Sequence, residues 1–123
     1  MPKYVDGFVL PVPKKNLEAY RKMAEIGCQV WREHGALEYV ECVADDVKPG
    51  KLTSFPQAVL AEPEETVVFA WIVYPSREER DRINAAVFAD PRLAHVLAHG
   101  PGQPVSFDGR RAFIGGFAEL VRA

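Results

Sequence analysis

The sequence predicts an α+β sandwich, a single layer of antiparallel strands with helices on one side, and three observations carry that expectation. Two β-α-β patterns follow one another, separated by a long excursion. Each helical pattern is bracketed by its own start and stop signals. The strands between are too apolar to stand in solvent on their helix-facing side. Together these give the ferredoxin-like βαββαβ order, with a four-stranded antiparallel sheet and both long helices on one face. The chain has 123 residues. That is one domain's length, enough to bury roughly 65% of the unfolded surface without disulfide or metal support.

The first strand is expected over Tyr4 to Val12, ended by Pro11 and Pro13, which cannot donate to a ladder. Asn16 then offers an N-cap for a helix from Leu17 to His34, stopped by Gly35. Within it Tyr20, Met23, Ala24, Gly27, Val30, Trp31 and His34 recur at spacings of three and four, so one stripe faces a core. Gly27 costs that helix about 1 kcal/mol against alanine, which a close approach of another element would explain. A second strand is expected from Ala36 to Ala44, before Asp45-Asp46.

Residues 47–66, VKPGKLTSFPQAVLAEPEET, contain a Pro49-Gly50 turn and, between prolines, a possible short edge strand over Leu52 to Leu60. An excursion this long either carries function, for instance as a lid, or conceals an element. The strand Val67 to Tyr74, VVFAWIVY, is apolar throughout. Ser76 and Glu79 form a capping-box pattern ahead of a helix over Arg77 to Ala89, which Asp90-Pro91 breaks. Arg92 to His99 predicts a further turn or two of helix, and Asp108-Gly109 turns into a last strand from Arg111 to Val121.

Composition excludes several classes of function. The chain is 48% hydrophobic and 26% charged, with a net charge of −2 and pI near 5.9, so it shows no electrostatic footprint for nucleic acid or an anionic membrane. No apolar run approaches the ~18 residues of a spanning helix, and the N-terminus lacks a signal-peptide pattern. The two cysteines, Cys28 and Cys42, match no zinc or redox spacing and read as buried free thiols, which suits a cytoplasmic location.

Alternation divides each strand into two sets. Grouped across strands, one set collects small and aliphatic residues (Val5, Gly7, Val9, Val40, Cys42, Ala44, Val68, Ala70, Ile72, Ile114, Gly116) suited to close helix packing. The other collects Tyr4, Asp6, Phe8, Leu10, Tyr39, Glu41, Phe69, Trp71, Val73, Phe113 and Phe117. An open face with seven aromatics calls for a cover: a second copy of the sheet, a ligand, or stacked RNA bases. Acids rather than basic residues accompany these aromatics, and the RNA-recognition signature is missing, so the second sheet is favoured.

Several segments carry a family resemblance: YVDGFVLPVP, HGALEYVECVADDV, TSFPQAV, FAWIVYPSREERDRINA with FADPRL, and FDGRR followed by IGGF. In combination they are similar to the YbaA-like bacterial family of unknown function, over nearly the whole chain. The resemblance implies a dimeric α/β barrel, two ferredoxin-like sheets packed face to face with helices outside. It implies no activity. The wider superfamily spans cofactor-free monooxygenases, haem-degrading enzymes, isomerases and stress-induced proteins, so the fold alone does not select among them.

The candidate chemical residues each have a functional and a structural reading. His34, at the end of the first helix, is a general acid or base on a pocket, or a helix-terminal histidine interacting with the last carbonyls. Asp6, in an apolar strand, is a desolvated base or a partnered interface carboxylate. Glu41 has the same two readings. If Asp6 lies on the helix side it lines one pocket with His34; if on the open side it joins Glu41 in the dimer seam. Trp71 is core, interface or substrate platform. Asn84, beside the stripe of the second helix, needs a partner, which backbone can supply.

His95 and His99 lie four apart, but without the glutamate of a zincin motif or a third ligand they predict no metal site. Arg110-Arg111 either hold an anion or are solvated. The expectation is therefore a homodimer with a small-molecule pocket, with His34 and Asp6 as catalytic candidates, Glu41, Trp71 and Asn84 as ligand contacts, and no cofactor. The alternative is a non-catalytic dimer that binds a ligand or protein.

Overall fold

A computed structural model of the chain describes residues 2–97 and 107–123, with the backbone alone at 95–97. Four strands form one antiparallel sheet: β1 (Tyr4–Pro13), β2 (Glu38–Val43), β3 (Glu65–Tyr74) and β4 (Phe113–Ala118), in the order β2-β3-β1-β4. The two long helices, α1 (Leu17–Glu33) and α3 (Arg77–Phe88), carry the crossovers. Short helices α2 (Phe55–Ala58) and α4 (Pro91–Leu97) follow β2 and α3. This is the ferredoxin-like arrangement the element order predicts. The sheet of the single chain is open, not closed into a barrel, and β2 and β4 are its edges.

The helix boundaries follow the chemistry of their ends. Ser76 accepts a hydrogen bond from the Glu79 amide at 3.1 Å, which is one half of the expected capping box. The Glu79 carboxylate accepts from Arg82 at 2.7 Å rather than from the Ser76 amide. Asn16 stands at the N-cap position of α1 but makes no capping hydrogen bond through its side chain. A 3-10 turn, Lys14–Asn16, leads into the helix instead. At the far end Gly35 takes φ +120°, the left-handed conformation that ends the helix, and His34 becomes the C-cap.

Register corrects the expected grouping of the strands. Asp6 stands opposite Ile72 and Gly116, Phe8 opposite Ala70 and Ile114, and Leu10 opposite Val68. On the other side of β3, Tyr39 faces Ile72 and Glu41 faces Ala70. Residues opposite one another share a face. Asp6, Phe8, Leu10, Tyr39 and Glu41 therefore lie on the helix side with Val68, Ala70 and Ile72, while Val5, Gly7, Val9, Val40 and Cys42 lie on the open side with Phe69, Trp71, Phe113 and Phe117. The alternation within each strand is as expected; the pairing of sets between strands is exchanged for β1 and β2.

The helix-side core has two parts. One packs Val30 of α1 and Ile83 and Val87 of α3 on Ile72 and Tyr74, with Leu93 of α4. The other gathers Leu10, Val12, Val68 and Tyr20.

The open side is partly covered by the chain itself. The excursion contains no strand over Leu52 to Leu60 but the helical turn α2, begun by Ser54, whose side chain accepts from the Gln57 amide, with a proline in its first turn. Val59 is fully buried against Val9 and Val67, and Phe55 meets Phe69 edge to face at 5.8 Å. Leu60, by contrast, is 72% exposed at φ +51°. The segment is fastened by Arg111, which donates to the Leu60 carbonyl at 2.9 Å and binds both oxygens of Glu65 at 2.7 Å. That pairing holds the Glu65 carboxyl below the usual range and occupies Arg111 with protein carboxylates rather than a bound anion.

With one buried anchor and few ladder bonds, residues 47–62 are expected to exchange their amide hydrogens faster than Val67–Tyr74, which hydrogen exchange read by mass spectrometry checks. Equal protection in the two segments would contradict this. Both cysteines are free, as expected, but Cys28 is half-buried and Cys42 is exposed on the open face. No helix among the described residues is long and apolar enough to cross a membrane.

Candidate functional site

Between α1 and the sheet lies a cavity of about 330 Å³. Its walls are mostly aromatic and aliphatic, with Phe8 and Ile72 from the sheet, Tyr20 and Trp31 from α1, Phe88 at the end of α3, and Phe107 before β4. The rings brace one another: Trp31 lies 5.8 Å from Tyr39 and 6.0 Å from Phe88, and Tyr20 lies 5.6 Å from Phe107. A cavity of this size and lining, with few polar groups, is at the small end of ligand pockets.

Among the described residues the charged group of the wall is Glu41. The Tyr20 hydroxyl donates to its Oε1, and the Tyr39 hydroxyl donates to Oε2 at 2.5 Å. Each carboxylate oxygen thus accepts a hydrogen bond from one phenol. Burial, and then the neighbouring Glu41 charge, push both phenols well above the usual tyrosine range, so they remain donors. Sequence and topology build this trio simply. Tyr39 and Glu41 are alternate residues of β2 on its helix side, and Tyr20 comes from the buried stripe of α1. Gly27 explains itself here, since a Cβ at that position would sit 3.1 Å from the Tyr39 hydroxyl. The missing side chain leaves room for the phenol to reach Glu41.

Asp6 belongs to a second network. It is 3% exposed, and its Oδ2 lies 3.0 Å from the Tyr74 hydroxyl and 3.4 Å from Asn84 Nδ2, while Oδ1 lies 3.3 Å from Arg80 Nε. The single Tyr74 proton serves either Asp6 or Asn84 Oδ1, which is at 3.1 Å. Burial first, and then Asp6, hold that phenol protonated. Asn84 Oδ1 also accepts from Trp31 Nε1 at 3.0 Å. Its partners are therefore side chains rather than backbone, and through Trp31 this network reaches the cavity wall. Arg80 in turn sits 4.8 Å above the Tyr4 ring.

His34 is elsewhere. Its Nε2 lies 2.9 Å from Asp90 Oδ2, and Asp90 is also gripped by Arg92, which holds its carboxyl far below the usual range with His34 assisting. Arg92 reaches on to Glu33, closing an ion cluster that ties the end of α1 to the start of α4.

The sequence-predicted residues are thus distributed over separate places. Asp6 and Glu41 share the helix side but have different partners, so they form neither a carboxylate pair nor a dimer seam. His34 and Asp6 do not share a pocket. Trp71 borders the cavity through β3, but by register its side chain belongs to the open face, where it packs against Phe69 at 5.7 Å with the rings tilted and donates to Glu38 at 3.2 Å. The excursion 47–66 lies over the open face rather than over the cavity, so it is no lid for this pocket. His99 lies outside the described residues, which leaves the His95–His99 pair without a structural account. Sequence reasoning passed over Tyr20 and Tyr39 as members of apolar sets. The available signal was two phenols placed where an acid also falls.

Comparison with solved structures gives the same fold at low sequence identity. A Nipsnap-family protein of unknown function from Agrobacterium tumefaciens aligns with a TM-score of 0.58 and 14% identity, over 96% of this chain and 88% of that one. A protein from an uncultured marine organism, described as a dimeric ferredoxin-like protein, gives 0.52 and 12%, over 98% and 96%. SnoaB, a cofactor-independent oxygenase from Streptomyces nogalater, gives 0.51 and 11%, over 99% and 97%. At the level of sequence, the uncharacterised protein YbaA of Escherichia coli K12 is 47% identical over 119 residues, 97% of each chain. The model of the family described as protein of unknown function DUF1428 matches residues 3–109. With that match and that relative, the chain belongs to the DUF1428 family, alongside YbaA.

Proposed function

We propose that this protein is a homodimer that binds a small organic molecule in each protomer, in the cavity between α1 and the sheet. The observation that carries the reading is the cavity itself: aromatic walls around one carboxylate whose two oxygens are held by phenols. Polar groups fixed by their own partners inside an apolar hollow are a recurring means of orienting a ligand. Glu41 is the contact residue, with Trp31 and Phe8 as apolar walls. Asp6 and Asn84 act one step behind, by fixing the Trp31 indole. Should turnover accompany binding, Glu41 is the group placed to accept a proton; His34 stands apart in its ion cluster.

Dimerisation is supported by the open face. Phe69, Phe113 and Phe117 there are 43%, 48% and 65% exposed. Two fold relatives are described as dimeric ferredoxin-like proteins. Pairing two such faces would give the barrel that the single open sheet lacks.

A library of small neutral, cationic and anionic compounds screened by thermal shift tests the pocket. Hits are expected to raise the melting temperature of the parent chain, and Ala24→Phe, which fills the cavity from α1, is expected to remove those shifts while the protein stays folded. Shifts that survive Ala24→Phe would place the site elsewhere.

A further inference from the structure

We infer that the occupant of this cavity is an organic cation, a small amine or quaternary ammonium on a flat apolar body. The inference rests on the small-molecule reading above and adds the charge class. Among the described residues that line the cavity Glu41 is the one charged side chain, and no lysine or arginine borders it. Among the described residues the wall therefore carries one negative charge and no counter-cation.

Three classes of occupant compare as follows. An anion would bring a second negative charge beside Glu41 in an apolar hollow, where screening is weak. A neutral hydrogen-bond donor could add a bond to the carboxylate but would strip water from its charge without compensating it. A cation does both, through a charge-assisted hydrogen bond of roughly twice the strength of a neutral one. The rest of the wall favours the same choice. Tyr20, Tyr39, Trp31, Phe8, Phe88 and Phe107 surround the space with ring faces and edges, and ring faces attract cations most strongly when both are desolvated. The two phenol protons already point at Glu41 and are spent there, so the wall presents a ligand with acceptors and rings rather than with free donors.

The test uses three probes of nearly equal size and different charge: phenethylammonium, 2-phenylethanol and phenylacetate, titrated calorimetrically into the full chain. Phenethylammonium is expected to bind on the order of tenfold more tightly than the alcohol, and phenylacetate to give no heat of binding. Glu41→Gln is expected to bring the ammonium and the alcohol to equal affinity. Tyr39→Phe, which keeps the charge, is expected to preserve the order of the probes.

The alcohol or phenylacetate matching the ammonium in the parent chain would overturn the charge class and leave the pocket standing. Silence from all three probes, together with a silent thermal-shift library, would overturn the pocket as well. The parent-chain comparison decides the question even if Glu41→Gln does not fold.

Discussion

Asp6→Ala is expected to lower the unfolding free energy by about 3 kcal/mol in urea denaturation, the low end of the range for breaking a buried ion pair. The substitution leaves Arg80 facing the sheet without its counter-charge and the Asn84 amide short of an acceptor, while the Tyr74 hydroxyl keeps Asn84 Oδ1 at 3.1 Å. The loss stays at the low end because Arg80 is 23% exposed and keeps Asp81, at 2.9 Å, as a second partner. Asp6→Asn, which preserves shape and one acceptor, is expected to lose about half as much. The paired change Asp6→Leu with Arg80→Met is the sharper measurement. Replacing both ends of a buried pair with apolar groups is often neutral or stabilising, so the double variant should recover most of the stability lost by Asp6→Ala. Equal instability in the single and double variants would show that Asp6 matters through its neutral hydrogen bonds instead.

The other large effect is on assembly. Trp71→Glu is expected to convert a dimer into a monomer in sedimentation velocity at micromolar concentration, with the helix-side fold retained. The carboxylate would enter the middle of the proposed seam beside Phe69 and Glu38, where it meets both desolvation and a like charge. Phe117→Glu, at the β4 edge of the same face, should weaken the dimer in the same direction. A parent chain that sediments as a monomer would remove the seam altogether. If Trp71→Glu remained dimeric, the partner copy would have to sit on another surface.

A chain's local boundaries are written in its residues, whereas the way its strands face one another is not. Element order was legible because each boundary carries its own local chemistry: Ser76 capping α3, Gly35 turning left-handed after α1, prolines closing β1. The relative phase of the strands was not. β3 is apolar on both sides, since Phe69 and Trp71 alternate with Ala70 and Ile72, so hydrophobicity cannot say which set meets the helices. β1 adds Asp6 to a set that otherwise reads as core. A buried aspartate looks misplaced until Arg80, 74 residues away in sequence, is seen beside it.

The helical turn α2 was written in Ser54-Phe55-Pro56, a capping residue with a proline in the first turn, but three prolines in the surrounding stretch favoured an edge strand. The candidate site was legible only in part. Glu41 could be singled out as an acid among aromatics, whereas its partners Tyr20 and Tyr39 looked like ordinary stripe members until the two elements were set against one another. The bond between His34 and Asp90 joins two helix ends that the sequence places 56 residues apart.

The alternation along β3 also bears on how such a protein can change over generations. One strand contributes Ala70 and Ile72 to the hollow and Phe69 and Trp71 to the outer face, so two properties are inherited on interleaved positions of eight consecutive letters. Point substitutions at even numbers reshape the hollow, and those at odd numbers reshape the outer face, each largely without the other. A single inserted or deleted residue in that strand would exchange the two assignments at once. Diversification by substitution is therefore open to this fold on two independent axes, while length change within β3 is closed to it.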